Sequence, residues 1–189
     1  MGYQEEISSY IPKNVQETIE KDVILDYMNH CSYNLLERES KLAHITVSAM
    51  IFNETFDKIL MVHHKVYQTW SWPGGHADGN PDLFFVAQKE IAEETGITDL
   101  VAFGSNILSL DILSVHGHWK HGSYVNAHLH FNICYGFVAS ENSPLQVNQE
   151  ETNGVRWIEC NKLQEYSNEK HMISIYFKIV NGLEKSGDN

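Results

Sequence analysis

Basic residues are scarce in this chain. Its 189 residues include 13 Lys and Arg against 25 Asp and Glu, a formal net charge of -12 with His neutral. No basic run is present to neutralise phosphates. Nucleic-acid polymers and anionic membranes are therefore poor partners for it. A small phosphorylated substrate is not excluded, because bound cations would supply the missing positive charge. Cysteine is also sparse: Cys31, Cys134 and Cys160 are odd in number and unclustered. They read as reduced thiols of a cytoplasmic protein, not as a disulfide framework or a zinc site. No apolar run is long enough to span a bilayer. Met1 to Tyr10 lacks the basic start and apolar run of a signal peptide. Internal repeats and low-complexity tracts are absent. The length suits one domain with a sizeable core.

The stretch from Pro73 to Ile97 organises what is there. It opens Pro73-Gly74-Gly75-His76-Ala77-Asp78 and closes Lys89-Glu90-Ile91-Ala92-Glu93-Glu94-Thr95-Gly96-Ile97. Asn80 suits a helix N-cap, Pro81 the first helical position and Gly96 the C-terminal stop. Phe84, Ala87 and Ile91 recur at helical spacing and should face a core, while Leu83 and Val86 lie a turn before the carboxylates. Glu90, Glu93 and Glu94, at i, i+3 and i+4, share one face. That pattern alone is the pattern of a solvated helix face. On a partly buried helix, however, three such carboxylates repel one another unless a cation sits among them. Hard oxygen ligands of this kind suit Mg²⁺ or Mn²⁺.

In its full context the stretch resembles the Nudix box of the MutT-like Nudix hydrolase family. That box is a glycine, five residues, a glutamate, seven residues, then Arg-Glu-apolar-x-Glu-Glu-x-Gly-apolar. Gly75, Glu90, Ile91, Glu93, Glu94, Gly96 and Ile97 fall in register. Pro81 stands where the family has glutamate, and Lys89 where it has arginine. The Pro-Gly-Gly-His-Ala-Asp opening is similar to that of one subgroup. The resemblance covers roughly residues 43–182. It implies a mixed sheet between helices, an α+β fold of the α/β/α sandwich type, and hydrolysis of a nucleoside diphosphate linked to another group. It places metal ligands at Glu90, Glu93 and Glu94, with Gly74 and Gly75 supporting the site. The family commonly recruits one more glutamate from a later loop; Glu150 and Glu151 fit that place, loop surface charge being the other reading. Lys89 keeps the arginine's charge but not its bidentate fork. A Nudix-fold module that binds a nucleotide without cleaving it, or an isomerase, is the alternative function.

Elsewhere the periodicity predicts an N-terminal extension, residues 1–42, ahead of the domain at 43–189. An amphipathic helix from about Lys13 to His30 would carry Val15, Ile19, Val23 and Tyr27 in one row and Ile24, Met28 and Cys31 in the next. A shorter helix through Leu35 and Leu36 would follow. The segment reads as a packed extension, with a homodimer contact or a lid as the functional reading. A hairpin is expected from His44–Phe52 and Ile59–His64, an aromatic loop from Tyr67 to Trp72, and one or two strands from Val101 to Ser114, broken at Gly104 and Ser105. A loop at His116–Gly122, a long strand at Val125–Val138, a short one at Val155–Ile158 and a helix at about Glu169–Leu183 complete the chain. Eight histidines lie between residues 63 and 130: His63, His64, His76, His116, His118, His121, His128 and His130. His128 and His130, on one strand face, could pair as metal ligands, but no third fixed ligand is evident. With His76 they read equally as phosphate or leaving-group contacts and as structural residues. Tyr67, Trp70, Trp72 and Trp119 are candidates to stack on a base, or core residues.

Overall fold

The computed structural model describes residues 2–65, 68–103, 107–120 and 122–184. Tyr67, Gly104, Ser105 and His121 lie outside them. Helices α1 (Tyr3–Ser9) and α2 (Val15–His30) come first, then strands β1 (Ala43–Phe52), β2 (Lys58–His64), β3 (Thr69–Ser71) and β4 (Gly74–His76). Helix α3 (Leu83–Thr95) separates these from β5 (Val101–Ala102), β6 (Ser109–Val115), β7 (His118–Lys120), β8 (Ser123–Val125), β9 (His128–Val138) and β10 (Thr152–Glu159). Helices α4 (Leu163–Tyr166) and α5 (Lys170–Glu184) end the described chain. Strands and helices mix as in an α+β fold, with strand order β10-β2-β1-β9-β5 and β3, β4 and β6 beside β2, β1 and β9.

Two compact units divide the residues, and β1, α3 and β9 run through both. The first holds Met1–Ser48, Gly74–Ala87 and Asn106–Tyr135. In it β4 pairs antiparallel with β1 and β6 with β9, and β7 and β8 form a hairpin of their own. That hairpin replaces the expected loop at His116–Gly122. Ile45, Val47, Leu110, Phe131 and Ile133 are buried in this unit.

Its N-terminal segment departs from the periodicity. Asn14 caps α2 by accepting from the Glu17 N–H. The row Val15, Ile19 and Val23 faces outward, Val15 being 76% exposed, while Glu17 and Ile24 are buried. The reason is a polar anchor that an apolar count does not see. The Glu17 carboxylate accepts from the Tyr10 hydroxyl and the Lys13 N–H, both at 2.7 Å, and from the Ser109 hydroxyl at 3.4 Å. Lys13 Nζ donates to the Leu108 carbonyl. These bonds dock the other face of α2 and leave the aliphatic row outside. The expected helix through Leu35 and Leu36 is a series of turns instead. Their backbone is claimed by other segments: the Ile45 N–H donates to the Leu35 carbonyl and the Gly79 N–H to the Leu36 carbonyl.

The second unit holds Ala49–Pro73, Gln88–Ser105 and Gly136–Asn189. Here the predicted hairpin forms, Phe52 facing Ile59, and β10 pairs with the far side of β2. The expected aromatic loop contains strand β3, which pairs Trp70 with His63. Met172, Ile175, Tyr176, Ile179 and Val180 bury one face of α5. Trp72 packs edge-on against Tyr176, so it is a core residue. No helix among the described residues is long and apolar enough to cross a membrane.

Candidate active site

Helix α3 begins two residues later than its sequence suggests. Asp82, not Asn80, caps it, accepting the Phe85 N–H at 2.9 Å, and Asn80 in turn accepts the Asp82 N–H at 3.0 Å. Pro81 therefore precedes the cap and lies outside the helix. The helix is apolar on two sides as expected: Leu83, Val86, Ala87 and Ile91 are all buried. Val86, Glu90 and Glu94 form one i, i+4 row, so the last two carboxylates continue a buried face. Glu94 is only 4% exposed, and the Glu90 side chain is 15% exposed, whereas that of Glu93 is 51% exposed.

A cation of the chain already sits beside this group. Lys89 Nζ lies 2.9 Å from Glu93 Oε2 and 3.7 Å from Glu90 Oε1. Its hydrogen bond to Glu93, then the nearby Glu90 charge, hold the Lys89 pKa above the ordinary lysine range. A lysine here does by charge what a forked guanidinium would do by two directed bonds.

The C-terminus of α3 is clamped by the loop that carries the candidate fourth glutamate. Gly96 has φ +78, and a Cβ on it would meet Gln146 Cβ at 2.7 Å. Glycine is thus required twice, for the left-handed stop and for the close approach. The Gln146 N–H donates to the Thr95 carbonyl at 2.8 Å. This brings Leu145–Glu151 beside the helix, where Glu93, Glu150 and Glu151 line one open cleft of about 970 Å³. Asn148 shapes the tip: its side-chain oxygen accepts the Glu150 N–H, and its amide reaches Glu151 Oε2 at 3.4 Å. The donor set facing the cleft is all carboxylate and amide oxygen, which fits a hard divalent cation.

Trp70, in the same unit, is held edge-on to His63 and under the Arg156 guanidinium, 5.7 Å from the ring centre. Trp119, in the first unit, is 74% exposed and packs only on Tyr124 among the described rings.

The first unit gathers the histidines. His44, Thr46 and Ser48 alternate on one face of β1, and His128, His130 and Asn132 on one face of β9. Asn132 bridges them, its oxygen accepting from the Thr46 hydroxyl and its amide donating to the Ser48 hydroxyl. Strand β4 adds His76 opposite Thr46. The sequence offered no third ligand for a His128–His130 pair; His130 instead groups with His44 and His76, the three offering nitrogens that all lie within 4.8 Å of one another. Burial, then the neighbouring imidazoles, push His130 down to about 2, and burial lowers His44 as well. These two rings are neutral at physiological pH, so they offer lone pairs rather than positive charge to a phosphate. Gly74 is paired in a strand opposite Ser48, and its bareness lets β4 approach β1 closely. Behind the group, Arg38 grips the Asp78 carboxylate with two bonds of 2.7 and 2.6 Å. Sequence reasoning missed Arg38 and His44. The only signal for His44 was the alternation of His44, Thr46 and Ser48 in an otherwise apolar strand.

A family model described as NUDIX domain matches residues 42–179. No curated protein matches the sequence. Among solved structures, a Caenorhabditis elegans Ap4A hydrolase binary complex is similar at 17% identity and TM-score 0.57, over 75% of this chain and 98% of that one. The Escherichia coli dihydroneopterin triphosphate pyrophosphohydrolase is similar at 11% identity and TM-score 0.54, over 73% and 95%. The NUDIX domain of Shewanella oneidensis NrtR, complexed with ADP ribose, is similar at 16% identity and TM-score 0.53, over 84% and 97%. At these identities the likeness is one of fold.

Proposed function

This chain belongs to the Nudix hydrolase family, and we propose that it is a divalent-metal-dependent pyrophosphohydrolase acting on a nucleoside diphosphate linked to another moiety. The observation that carries this reading is Glu93 on the wall of a cleft that Glu150 and Glu151 also line, beside the half-buried Glu90 and buried Glu94. Glu90, Glu93 and Glu94 would hold Mg²⁺ or Mn²⁺. Such an ion supplies positive charge to substrate phosphates and acidifies a water. The chain's own groups do the rest. Glu151, exposed at the loop tip and tied to Asn148, accepts the proton of the attacking water as general base, with Glu150 beside it. Lys89 keeps Glu93 and Glu90 oriented toward each other's side of α3. Gly74, Gly75, His76, His128 and His130, all in the first unit, are the proposed substrate-contacting residues.

That one similar structure is an Ap4A hydrolase and another is a NUDIX domain complexed with ADP ribose supports a small nucleotide substrate. With its deficit of basic residues, a cytoplasmic protein acting on such a molecule, and not on a nucleic-acid polymer or a membrane, is the consistent reading. Residues 1–42 are proposed as an extension of the domain, with a homodimer contact as their candidate role. The test is a panel of nucleoside triphosphates, nucleotide sugars, ADP-ribose and dinucleotides with Mg²⁺ and Mn²⁺. The expected result is release of a phosphorylated product, nearly abolished in Glu93→Gln and Glu94→Gln. Binding of a panel member without cleavage would favour a nucleotide-binding module, and full activity in both variants would remove the carboxylates from the chemistry.

A further inference from the structure

We propose that His44, His76 and His130 form a second metal centre that binds one imidazole-preferring transition-metal ion of the Zn²⁺ class. Three strands build it: His44 stands on β1, His76 on β4 and His130 on β9. Their ligand nitrogens lie within 4.8 Å of one another. The ring centroids of the three are 5.0 Å apart pair by pair. Zinc–nitrogen bonds of about 2.0–2.1 Å in a tetrahedron set nitrogens about 3.3 Å apart. Small side-chain rotations therefore close the group on an ion, with no change of backbone.

Tautomers point the same way. His44 Nδ1 lies 3.1 Å from the Ser40 carbonyl, which can only accept, so the ring proton sits on Nδ1 and the lone pair on Nε2. That Nε2 is buried, in a residue 5% exposed, and has no hydrogen-bond partner among the described residues. A buried acceptor left so costs about 1–3 kcal/mol. A metal ion among the imidazoles would satisfy it. Anchoring the outer ring nitrogen to a backbone carbonyl is how proteins orient histidine ligands. His128 is anchored likewise, its Nδ1 2.9 Å from the Asn126 carbonyl, and its Nε2 lies 3.1 Å from His130 Nε2. That separation from His130 is about the edge length of a zinc tetrahedron, but His128 does not belong to the mutually close group and is not counted as a ligand.

The chemistry separates this centre from the carboxylates. Imidazole suits Zn²⁺, Cu²⁺, Ni²⁺ and Fe²⁺, whereas carboxylates suit Mg²⁺ and Mn²⁺. The centre is not sealed, because His76 and His130 remain partly exposed. A water or a substrate oxygen could reach an ion held there.

The probe is Co²⁺, which absorbs visibly in tetrahedral nitrogen sites. Chelator-treated full-length protein is titrated with Co²⁺ in excess Mg²⁺, which occupies hard oxygen sites, and Zn²⁺ is then added as competitor. The wild type should bind one equivalent, show tetrahedral bands and lose them to Zn²⁺. Changing an outer group around a metal costs about 10–100-fold in affinity. Losing a ligand in His76→Gln or His130→Gln should cost at least the upper end of that range, while Glu93→Gln should bind as the wild type does. Circular dichroism checks folding. If His130→Gln fails to fold, His76→Gln decides. Equal Co²⁺ affinity in wild type and His76→Gln, or loss of binding in Glu93→Gln alone, overturns the proposal.

Discussion

Gly74→Ala tests whether the approach of β4 to β1 is as tight as the structure has it. A Cβ built on Gly74 would lie 2.9 Å from Ser48 Cα and 3.1 Å from Ser48 Cβ, and closer still to the Val47 carbonyl oxygen. Carbon atoms rest at about 3.5–4.0 Å, so the overlap is roughly 0.5–1 Å. The nearest two atoms belong to the β1 backbone and cannot swing aside as a side chain would. Strand β4 is three residues long. It must shift bodily or lose part of its ladder. Overpacking of this kind costs about 1–3 kcal/mol. Alanine's smaller unfolded-state entropy offsets about 0.4–1 kcal/mol. The net is a loss of at most about 2.6 kcal/mol, with about 1–2 kcal/mol at mid-range. For a chain of this size, about 2–4 °C per kcal/mol gives a Tm lower by about 2–8 °C. The assay is thermal unfolding followed by circular dichroism, with Gly182→Ala alongside. Gly182 lies within α5, and a Cβ there meets nothing within 4 Å. That variant should gain about 0.5–1 kcal/mol. A Gly74→Ala protein that melts at or above the wild-type temperature would refute the reasoning.

Mg²⁺ or Mn²⁺ should raise the melting temperature of the wild type, because the ion binds only the folded carboxylates, and the rise should shrink in Glu94→Gln; an equal rise in both would place the binding elsewhere. Pro81→Glu restores the family's residue ahead of a helix that Asp82 already caps, so turnover on the panel substrate should change less than about tenfold, or about 1.4 kcal/mol of barrier. A wild type inert on the whole panel and activated by Pro81→Glu would sink that expectation. Glu17→Ala strips a buried acceptor from the Tyr10 hydroxyl and the Lys13 N–H, and should cost about 1–3 kcal/mol in urea unfolding; an unchanged midpoint would mean that water takes the carboxylate's place.

The carboxylate helix was legible because its glutamates and its burial follow one period. Glu90 and Glu94 extend the row of Val86, and Gly96 marks the stop by a φ that few other residues adopt. Within that helix only the start was misread. Asn80 and Asp82 are both good caps, and the choice between them is made by which side chain reaches a helical N–H. The α2 helix shows where periodicity fails. Val15, Ile19 and Val23 form a better apolar row than the buried face does, yet a carboxylate at position 17 with bonded partners outweighs three exposed aliphatic side chains. Buried hydrogen-bonded charge is rare enough that a hydrophobic count gives it the wrong sign.

The histidine face was illegible for a different reason. In a helix, spacing along the chain is spacing in space. In a sheet, which residues meet is set by register, and register is a property of pairs of strands. His128 and His130 announce themselves because they share a strand. His44 joins them because β1 lies beside β9, and His76 because β4 pairs with β1 so that Thr46 faces His76 and Ser48 faces Gly74. A slip of one residue would turn His76 to the opposite face. At Gly74 a Cβ would collide with β1, so the glycine lets β4 lie close enough for that pairing, and two residues on, past Gly75, the same strand presents His76. The residue that makes the centre possible is thus one with no side chain and no chemistry of its own.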